Sequence, residues 1–337
     1  MTRKVNVALI GTGRMGSVHV ANVAHAVPEA NLVALCDIRL EVARQIAAQH
    51  GISRVVEDYH ELLADPGIEA VMIITSTPTH AMIIKDAALA GKHIFCEKPI
   101  ALDIPSIHEA LAAVEQAGVK LQIGFNRRFD KSFRQVRELV HSGELGRPCL
   151  FKITNYDPAL PAMEFLRASG GMFLDMSIHD FDMARFQIGE IEEVFAMGSV
   201  LLDPELESFG DVDTAAVMLK FADGTLGLIA NSRQSVYGYD QRIEVHCING
   251  GAMAENERDN TLVKGDSAGL HSARIPSFFM QRFPQCYIDE VSQFLRCVRD
   301  DKPVPISGRD GLMAVLAGHA AWRSVHEHRP VRISEFE

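Results

Sequence analysis

A chain of 337 residues is longer than one hydrophobic core usually serves, so two domains of about 100 to 200 residues each are expected. Apolar residues at 47% and charged residues at 23% match ordinary globular usage and exclude long disorder, collagen-like repeats and coiled coil. A formal charge of -11 leaves no surplus of cations for nucleic acid or an anionic membrane surface.

Met1–Lys4 leads directly into an apolar strand-like run, without the basic, apolar and small-residue order of a secretory signal, so none is expected. The apolar run Ala70–Ile74 is far shorter than the roughly 18 to 20 residues of a membrane span. Six cysteines (Cys36, Cys96, Cys149, Cys247, Cys286 and Cys297) form no CxxC pair or zinc-like spacing. Reduced thiols in a cytoplasmic protein are expected, with no metal site and no disulfide.

Strands are predicted at Val5–Ile10, Asn31–Cys36, Ala70–Thr75, His93–Cys96 and Lys120–Ile123, with helical patterns between them. Runs apolar on both faces suit parallel strands covered by helices on either side, an α/β doubly wound sheet. In Leu102–Gly118, Asp103 can cap a helix, Pro105 suits its first turn and Gly118 its stop. A dinucleotide-binding domain is therefore expected over 1–123.

A second domain is expected over 124–337, an α+β unit on a large mixed, mostly antiparallel sheet, whose last helices can pack back on the first domain. Its predicted elements are a helix at Lys131–His141, a strand at Cys149–Asn155, a helix at Asp175–Ile188 and strands through Glu193–Ile248. Turns are expected at Ala222-Asp223-Gly224 and Asn249-Gly250-Gly251, and helices return at Gln285–Asp300 and Gly311–His328.

Gly11-Thr12-Gly13-Arg14-Met15-Gly16 follows the first strand and opens a helix, the context in which GxGxxG has a physical meaning. Gly11 allows the tight turn, Gly13 lets backbone approach a pyrophosphate, and Gly16 lets the helix pack on the sheet. The second strand ends at Asp37, where a carboxylate can accept hydrogen bonds from the adenosine ribose. Its charge repels a 2′-phosphate and favours NAD over NADP, although Arg39, two residues on, can pair with that phosphate or stay solvated.

Glu97-Lys98-Pro99 follows the strand predicted at His93–Cys96, so Lys98 lies where ligands collect in open α/β sheets; alone, the tripeptide reads equally as a surface ion pair and turn. Asp175, His179 and Asp182 stand at i, i+4 and i+7 of one predicted helix and so share a face. Phe173, Leu174, Met176 and Phe181 lie among them, so this helix is not simply a polar, solvated face, and a shared stripe of polar groups points to a functional one.

GTGRMG, Ser76-Thr77-Pro78-Thr79-His80, EKP, the segment Gly124–Asp130 (GFNRRFD) and GGMFLDMSIHDFD together resemble the Gfo/Idh/MocA oxidoreductases across the whole chain. GFNRRFD and Tyr237-Gly238-Tyr239-Asp240-Gln241-Arg242 are similar to the inositol 2-dehydrogenase branch. The resemblance implies a Rossmann domain, a sheet domain used for oligomer contacts, commonly a homotetramer, and Lys98, Asp175 and His179 as the catalytic set. It implies oxidation of myo-inositol to scyllo-inosose with formation of NADH, and removing hydride from a secondary alcohol requires a base at the hydroxyl. Histidine titrates in the right range, so His179 is assigned as that base, Asp175 as the group that orients it and Lys98 as the stabiliser of alkoxide character, with no metal required.

The same resemblance implies that Gly11, Gly13, Arg14, Met15, Gly16, Asp37, Ser76, Thr77, His80, Glu97, Lys98, Arg127 and Tyr287 line the cofactor. An inositol carries a hydroxyl on every ring carbon, so Lys98, Asn126, Arg127, Asp157, Asp175, His179, Asp182, Tyr237 and Tyr239 are candidate partners for it. Tyr237 and Tyr239 share one face if the segment is extended. Asn126 departs from the Met of some inositol dehydrogenases, which leaves the choice of inositol and hydroxyl open. Another polyol or sugar dehydrogenase, or a non-catalytic NAD(P)-binding sensor, are the competing readings.

Overall fold

The computed structural model describes residues 3–336; Met1, Thr2 and Glu337, the ends of the two expected domains, lie outside the described residues. The chain forms two compact units, one running to Phe129 and taking in Gln285–Val315, the other comprising Asp130–Pro284 and the residues from Leu316 on. This division differs from a single cut at residue 124 because 285–315 returns to the first unit. The helix Pro284–Arg299 buries Val291, Phe294 and Leu295 in one cluster with Val5, Val7 and Leu9 of the first strand.

In the first unit, strands β1 (Val5–Ile10), β2 (Ala30–Cys36), β3 (Arg54–Val56), β4 (Ala70–Ile73), β5 (His93–Glu97) and β6 (Leu121–Gly124) make an all-parallel sheet of order β3-β2-β1-β4-β5-β6. That is the doubly wound dinucleotide-binding order, with the strand sequence reversing between β1 and β4. The sequence reading missed β3, a three-residue edge strand too short to show a period. In the helix Ile104–Ala117, the Asp103 carboxylate accepts from the Ser106 N–H at 2.9 Å, and Gly118 ends the helix at φ 63°.

The second unit contains β7 (Pro148–Tyr156), β8 (Ile191–Ser199), β9 (Thr214–Phe221), β10 (Leu226–Ser232), β11 (Asp240–Cys247) and β12 (Gly250–Ala254). A separate hairpin of β13 (Val263–Asp266) and β14 (Gly269–Ser272) follows, and β15 (Val331–Arg332) returns to the main sheet. That sheet has seven strands in the order β12-β11-β7-β10-β9-β8-β15. β7 and β10 pair in parallel, and the other neighbours pair antiparallel.

Burial alternates residue by residue along β9, so one face of this sheet is packed and the other is open. The helices Lys131–His141 and Ile178–Gln187 pack on the covered face. The expected single helix Asp175–Ile188 is corrected: Met172–Met176 is a π-helical turn, Ser177 breaks the spiral, and the α-helix runs only over Ile178–Gln187. Asp175 therefore does not stand one regular α-turn before His179. Glycines 170 and 171, at φ 89° and 74°, let the chain enter this turn with a backbone that other residues rarely adopt.

Among the described residues, no helix is long and apolar enough to cross a membrane. Because Phe294 is fully buried among β-sheet residues of the first unit, Phe294→Ala should cost about 3–5 kcal/mol. Urea unfolding of the variant measures that loss; a change near zero would mean the helix Pro284–Arg299 adds little to this core.

Candidate active site

The cofactor half is built at the carboxyl ends of β1, β2, β4 and β5. Gly11 sits at φ 97°, and a Cβ there would lie 2.6 Å from the Ile74 carbonyl oxygen; a Cβ at Gly16 would collide with the Gly11 carbonyl. The helix Arg14–His25 starts at Gly13 with no side-chain cap and no acidic residue in its first turn. Its opening N–H groups are left for an anion, which is what a pyrophosphate requires.

Asp37 is buried, and one of its oxygens accepts from the Thr12 N–H at 2.7 Å and the Thr12 hydroxyl at 2.8 Å. The other oxygen accepts from the Arg39 N–H at 2.9 Å, and the Arg39 guanidinium stands 3.6 Å away. Burial acts to raise this carboxyl, but the hydrogen bonds from Arg39 and Thr12 outweigh it and hold it below the usual carboxylate value. Asp37 thus clamps the glycine loop as well as carrying charge towards the ribose position. The residues fit NAD: a glycine cradle, an uncapped helix end and a fixed carboxylate.

Ser76 and Thr77 lie on the short turn after β4, Ser76 exposed and Thr77 half-buried, while Arg14 is exposed and Met15 half-buried at the helix start. His80 is buried, with Nδ1 2.7 Å from the Pro99 carbonyl and Nε2 3.1 Å from the Thr75 carbonyl. Burial pushes its imidazole down towards the neutral form, which has one N–H and so donates to one of these two carbonyls while packing against the other. Lys98 is half-buried, and its backbone N–H donates to the Glu97 carboxylate at 3.2 Å. The Lys98–Pro99 peptide is cis.

Asn126 and Arg127 are buried in the turn after β6, and the Asn126 amide nitrogen has no hydrogen-bond partner. Its neighbour Arg128 pairs with Asp310 at 3.0 Å. Tyr287 is buried in the same unit, edge-on to His19 with ring centres 5.8 Å apart.

In the second unit, Asp175 and His179 are half-buried and Asp182 is buried. The fully buried guanidinium of Arg233 stands 3.5 Å from Asp175 and 3.9 Å from Asp157. Asp211 accepts from the N–H groups of Met172 and Val212, both at 2.8 Å, which fixes the start of the π-helical turn. Burial pushes the Asp211 carboxyl up, against the pull of those bonds and of Arg233.

The helix carrying His179 is pinned through Asp180. Its carboxylate accepts from the Asn155 amide at 2.9 and 3.1 Å and from the Asn231 amide at 2.7 Å. The oxygen of Asn155 accepts from Gln241 at 2.5 Å, and that of Asn231 from the Ser177 hydroxyl at 2.7 Å. Asn231, Asn155 and Gln241 are register partners across β10, β7 and β11, so one polar row supports the reacting helix.

The expected pairing of Tyr237 with Tyr239 on one extended face is corrected. The chain turns there, Gly238 lies at φ 130°, and a Cβ at Gly238 would collide with Ile275. Tyr237 is 57% exposed and donates to Asp240 at 2.6 Å, whereas Tyr239 is buried edge-on to Phe283. Sequence reasoning missed Arg233, Asp180, Asn155, Asn231 and Asp211. The available signal was polar residues ending apolar strands, together with a cluster of acids that needs a buried cation.

A cradle for a dinucleotide in one unit and, in the other, a helix with a half-buried histidine beside acids and a buried cation supply the parts of an NAD-dependent oxidoreductase. Residues 5–125 match the family model described as oxidoreductase family, NAD-binding Rossmann fold, and residues 133–253 match the GFO/IDH/MocA C-terminal domain. A myo-inositol 2-dehydrogenase of Thermotoga maritima is 44% identical over 332 residues, 98% of this chain and 99% of that protein. The chain belongs to the Gfo/Idh/MocA oxidoreductase family.

The crystal structure of a myo-inositol dehydrogenase from Corynebacterium glutamicum is similar at TM-score 0.93 and 35% identity, covering 98% of each chain. That of a scyllo-inositol dehydrogenase from Lactobacillus casei, with bound NAD(H) and scyllo-inositol, has TM-score 0.92 at 30% identity, covering 98% of this chain and 100% of that one.

Two outcomes follow from the buried charges. Arg233→Met leaves Asp157 and Asp175 without their cation and should cost roughly 3–5 kcal/mol in chemical denaturation, because removing one partner strands the others. Asp37→Asn should relax the preference for NAD over NADP in paired binding titrations. The lowered Asp37 carboxyl adds stability above its unfolded value of 3.8 and loses it as pH falls through the folded value. The stability gap between wild type and Asp37→Asn should therefore be flat near neutrality and close only in acid.

Proposed function

We propose that the chain oxidises myo-inositol to scyllo-inosose with NAD, using His179 as the general base. The observation that carries this reading is Arg233, buried against Asp157 and Asp175 beside the helix of His179. The buried Arg233 guanidinium holds the Asp175 carboxylate in place, and a carboxylate four residues before His179 in the chain would favour the imidazolium that forms when the base accepts a proton.

His179 takes the hydroxyl proton, the C–H bonding pair leaves as hydride, and the C–O bond becomes the carbonyl. NAD, when bound, supplies the acceptor for that hydride. Lys98 stabilises negative charge on the same oxygen before the carbonyl is complete. Asn126, Arg127, Asp157 and Asp182 hold ring hydroxyls; the buried Asn126 amide with an unpartnered nitrogen supports a ligand acceptor there. Tyr237 approaches the substrate as an exposed side chain, and Tyr239 acts through packing.

The Thermotoga and Corynebacterium proteins support myo-inositol, while the Lactobacillus protein supports scyllo-inositol as a second reading. The open sheet face, where Met197 is 66% and Met218 51% exposed, supports a homo-oligomer, read as a tetramer. The reduced cysteines support a cytoplasmic setting.

His179→Ala should lower kcat by about 10²–10⁴-fold while NAD still binds. NADH absorbance with myo-inositol, scyllo-inositol, chiro-inositol and glucose measures turnover, and NAD titration measures binding. Wild-type turnover in His179→Ala removes the base assignment. Turnover on scyllo-inositol or glucose alone keeps the base and overturns the substrate, and silence with tight NAD binding supports a sensor.

A further inference from the structure

Directly behind Lys98 lies a group of buried side chains that neither the cofactor cradle nor the proposed mechanism uses. Glu290, on the helix Pro284–Arg299, is completely buried, and neither of its carboxyl oxygens has a hydrogen-bond partner. Its carboxyl, that of Glu97 and the ring of His19 bring their polar atoms within 4.8 Å of one another. His19 Nε2 is 2.8 Å from Glu97 Oε1, and the other Glu97 oxygen accepts from the Lys98 N–H at 3.2 Å.

Gly124 is the register partner of Glu97, and a Cβ at Gly124 would stand 3.1 Å from the Glu97 carboxylate. Glu97 is thus boxed in by a missing side chain on one strand, His19 on one helix and Glu290 on another. Two anionic carboxyls cannot share so dry a volume without a compensating charge, whereas a pair holding one proton can.

We propose that Glu290 is a positioning residue for Lys98, a neutral carboxylic acid that donates its proton to the Glu97 carboxylate and so fixes the corner from which Lys98 reaches its substrate. Burial, reinforced by the charge of Glu97, pushes the Glu290 carboxyl well above the ordinary carboxylate range. His19 Nε2 donates to the Glu97 carboxylate, which thus receives donors from His19, from the Lys98 backbone and from Glu290. The lysine then projects from a backbone tied to a carboxylate that is itself held by three donors. The inference rests on the reading of Lys98 as the group that meets the substrate oxygen.

Three enzymes test it: wild type, Glu290→Gln and Glu290→Leu. Gln keeps a neutral donor of the same shape, so it should hold kcat within about tenfold of wild type, the scale of one neutral hydrogen bond. Leu removes the donor and should lower kcat by up to roughly 10²-fold through misplacement of Lys98, with the KM for NAD little changed. Infrared spectra should contain the carbonyl stretch of a buried carboxylic acid in wild type that shifts in D2O and vanishes in Glu290→Gln, a readout independent of turnover and of the folding of the Leu variant.

Equal damage by Gln and Leu, absence of that band, or one divalent ion per chain lost on Glu290→Gln would each overturn the proposal. Lys98→Met separates the two readings. Full turnover in Lys98→Met with the band intact rejects the role of Lys98 and with it the positioning role of Glu290, whereas loss of turnover in Lys98→Met without the band rejects Glu290 alone.

Discussion

The second unit depends on a carboxylate that never touches solvent. Asp180 is fully buried, a position that is costly for a charged group unless hydrogen bonds replace its water. The amides of Asn155 and Asn231 provide those bonds, and both amides have their oxygens engaged in turn. Each member fixes the orientation of the next, so the row is satisfied and rigid. Asn155 and Asn231 belong to the parallel pair in an otherwise antiparallel sheet, which brings their side chains to the same level beneath the helix. His179 immediately precedes Asp180, so the carboxylate anchors the helix backbone from which the imidazole projects.

The same economy governs the first unit. Loops at the carboxyl ends of parallel strands have little packing of their own, and here a buried polar side chain straps each one. Asp37 holds the glycine loop, His80 joins the turns after β4 and β5, and Glu97 holds the backbone of Lys98. Several residues first recognised as candidate ligands are therefore also part of the scaffold. A substitution at one of them moves the loop as well as removing a contact.

The doubly wound sheet was legible because its strands are apolar runs ended by glycines, and β1 begins and ends where the pattern put it. The glycine loop and the strand ending at Asp37 were legible because their spacing carries a physical requirement, whereas the stripe of Asp175 and His179 assumed one regular helix that the chain does not form. Arg233 was not: it lies 58 positions from Asp175 in the chain, and no local period links them. Nor was the π-helical turn, since its extra backbone width follows from tertiary packing around Gly171 and Asp211 and leaves no mark on residue spacing. The packing of the last helices back on the first unit was allowed for by the sequence, but its bounds at Gln285–Val315 were not, because an amphipathic face does not name the sheet it covers.

The distribution of satisfied and unsatisfied polar atoms separates scaffold from site. Asp180, Asn155 and Asn231 have partners on every side, which makes them poor ligands and good supports. The Asn126 nitrogen, by contrast, is buried without a partner, and so are Nε and Nη2 of Arg233. Stranding such donors destabilises a folded chain unless a ligand or water repays them. A ligand that supplies acceptors at such positions is selected by the donors that would otherwise stay unpaired, which makes specificity a property of the polar atoms left open rather than of pocket shape.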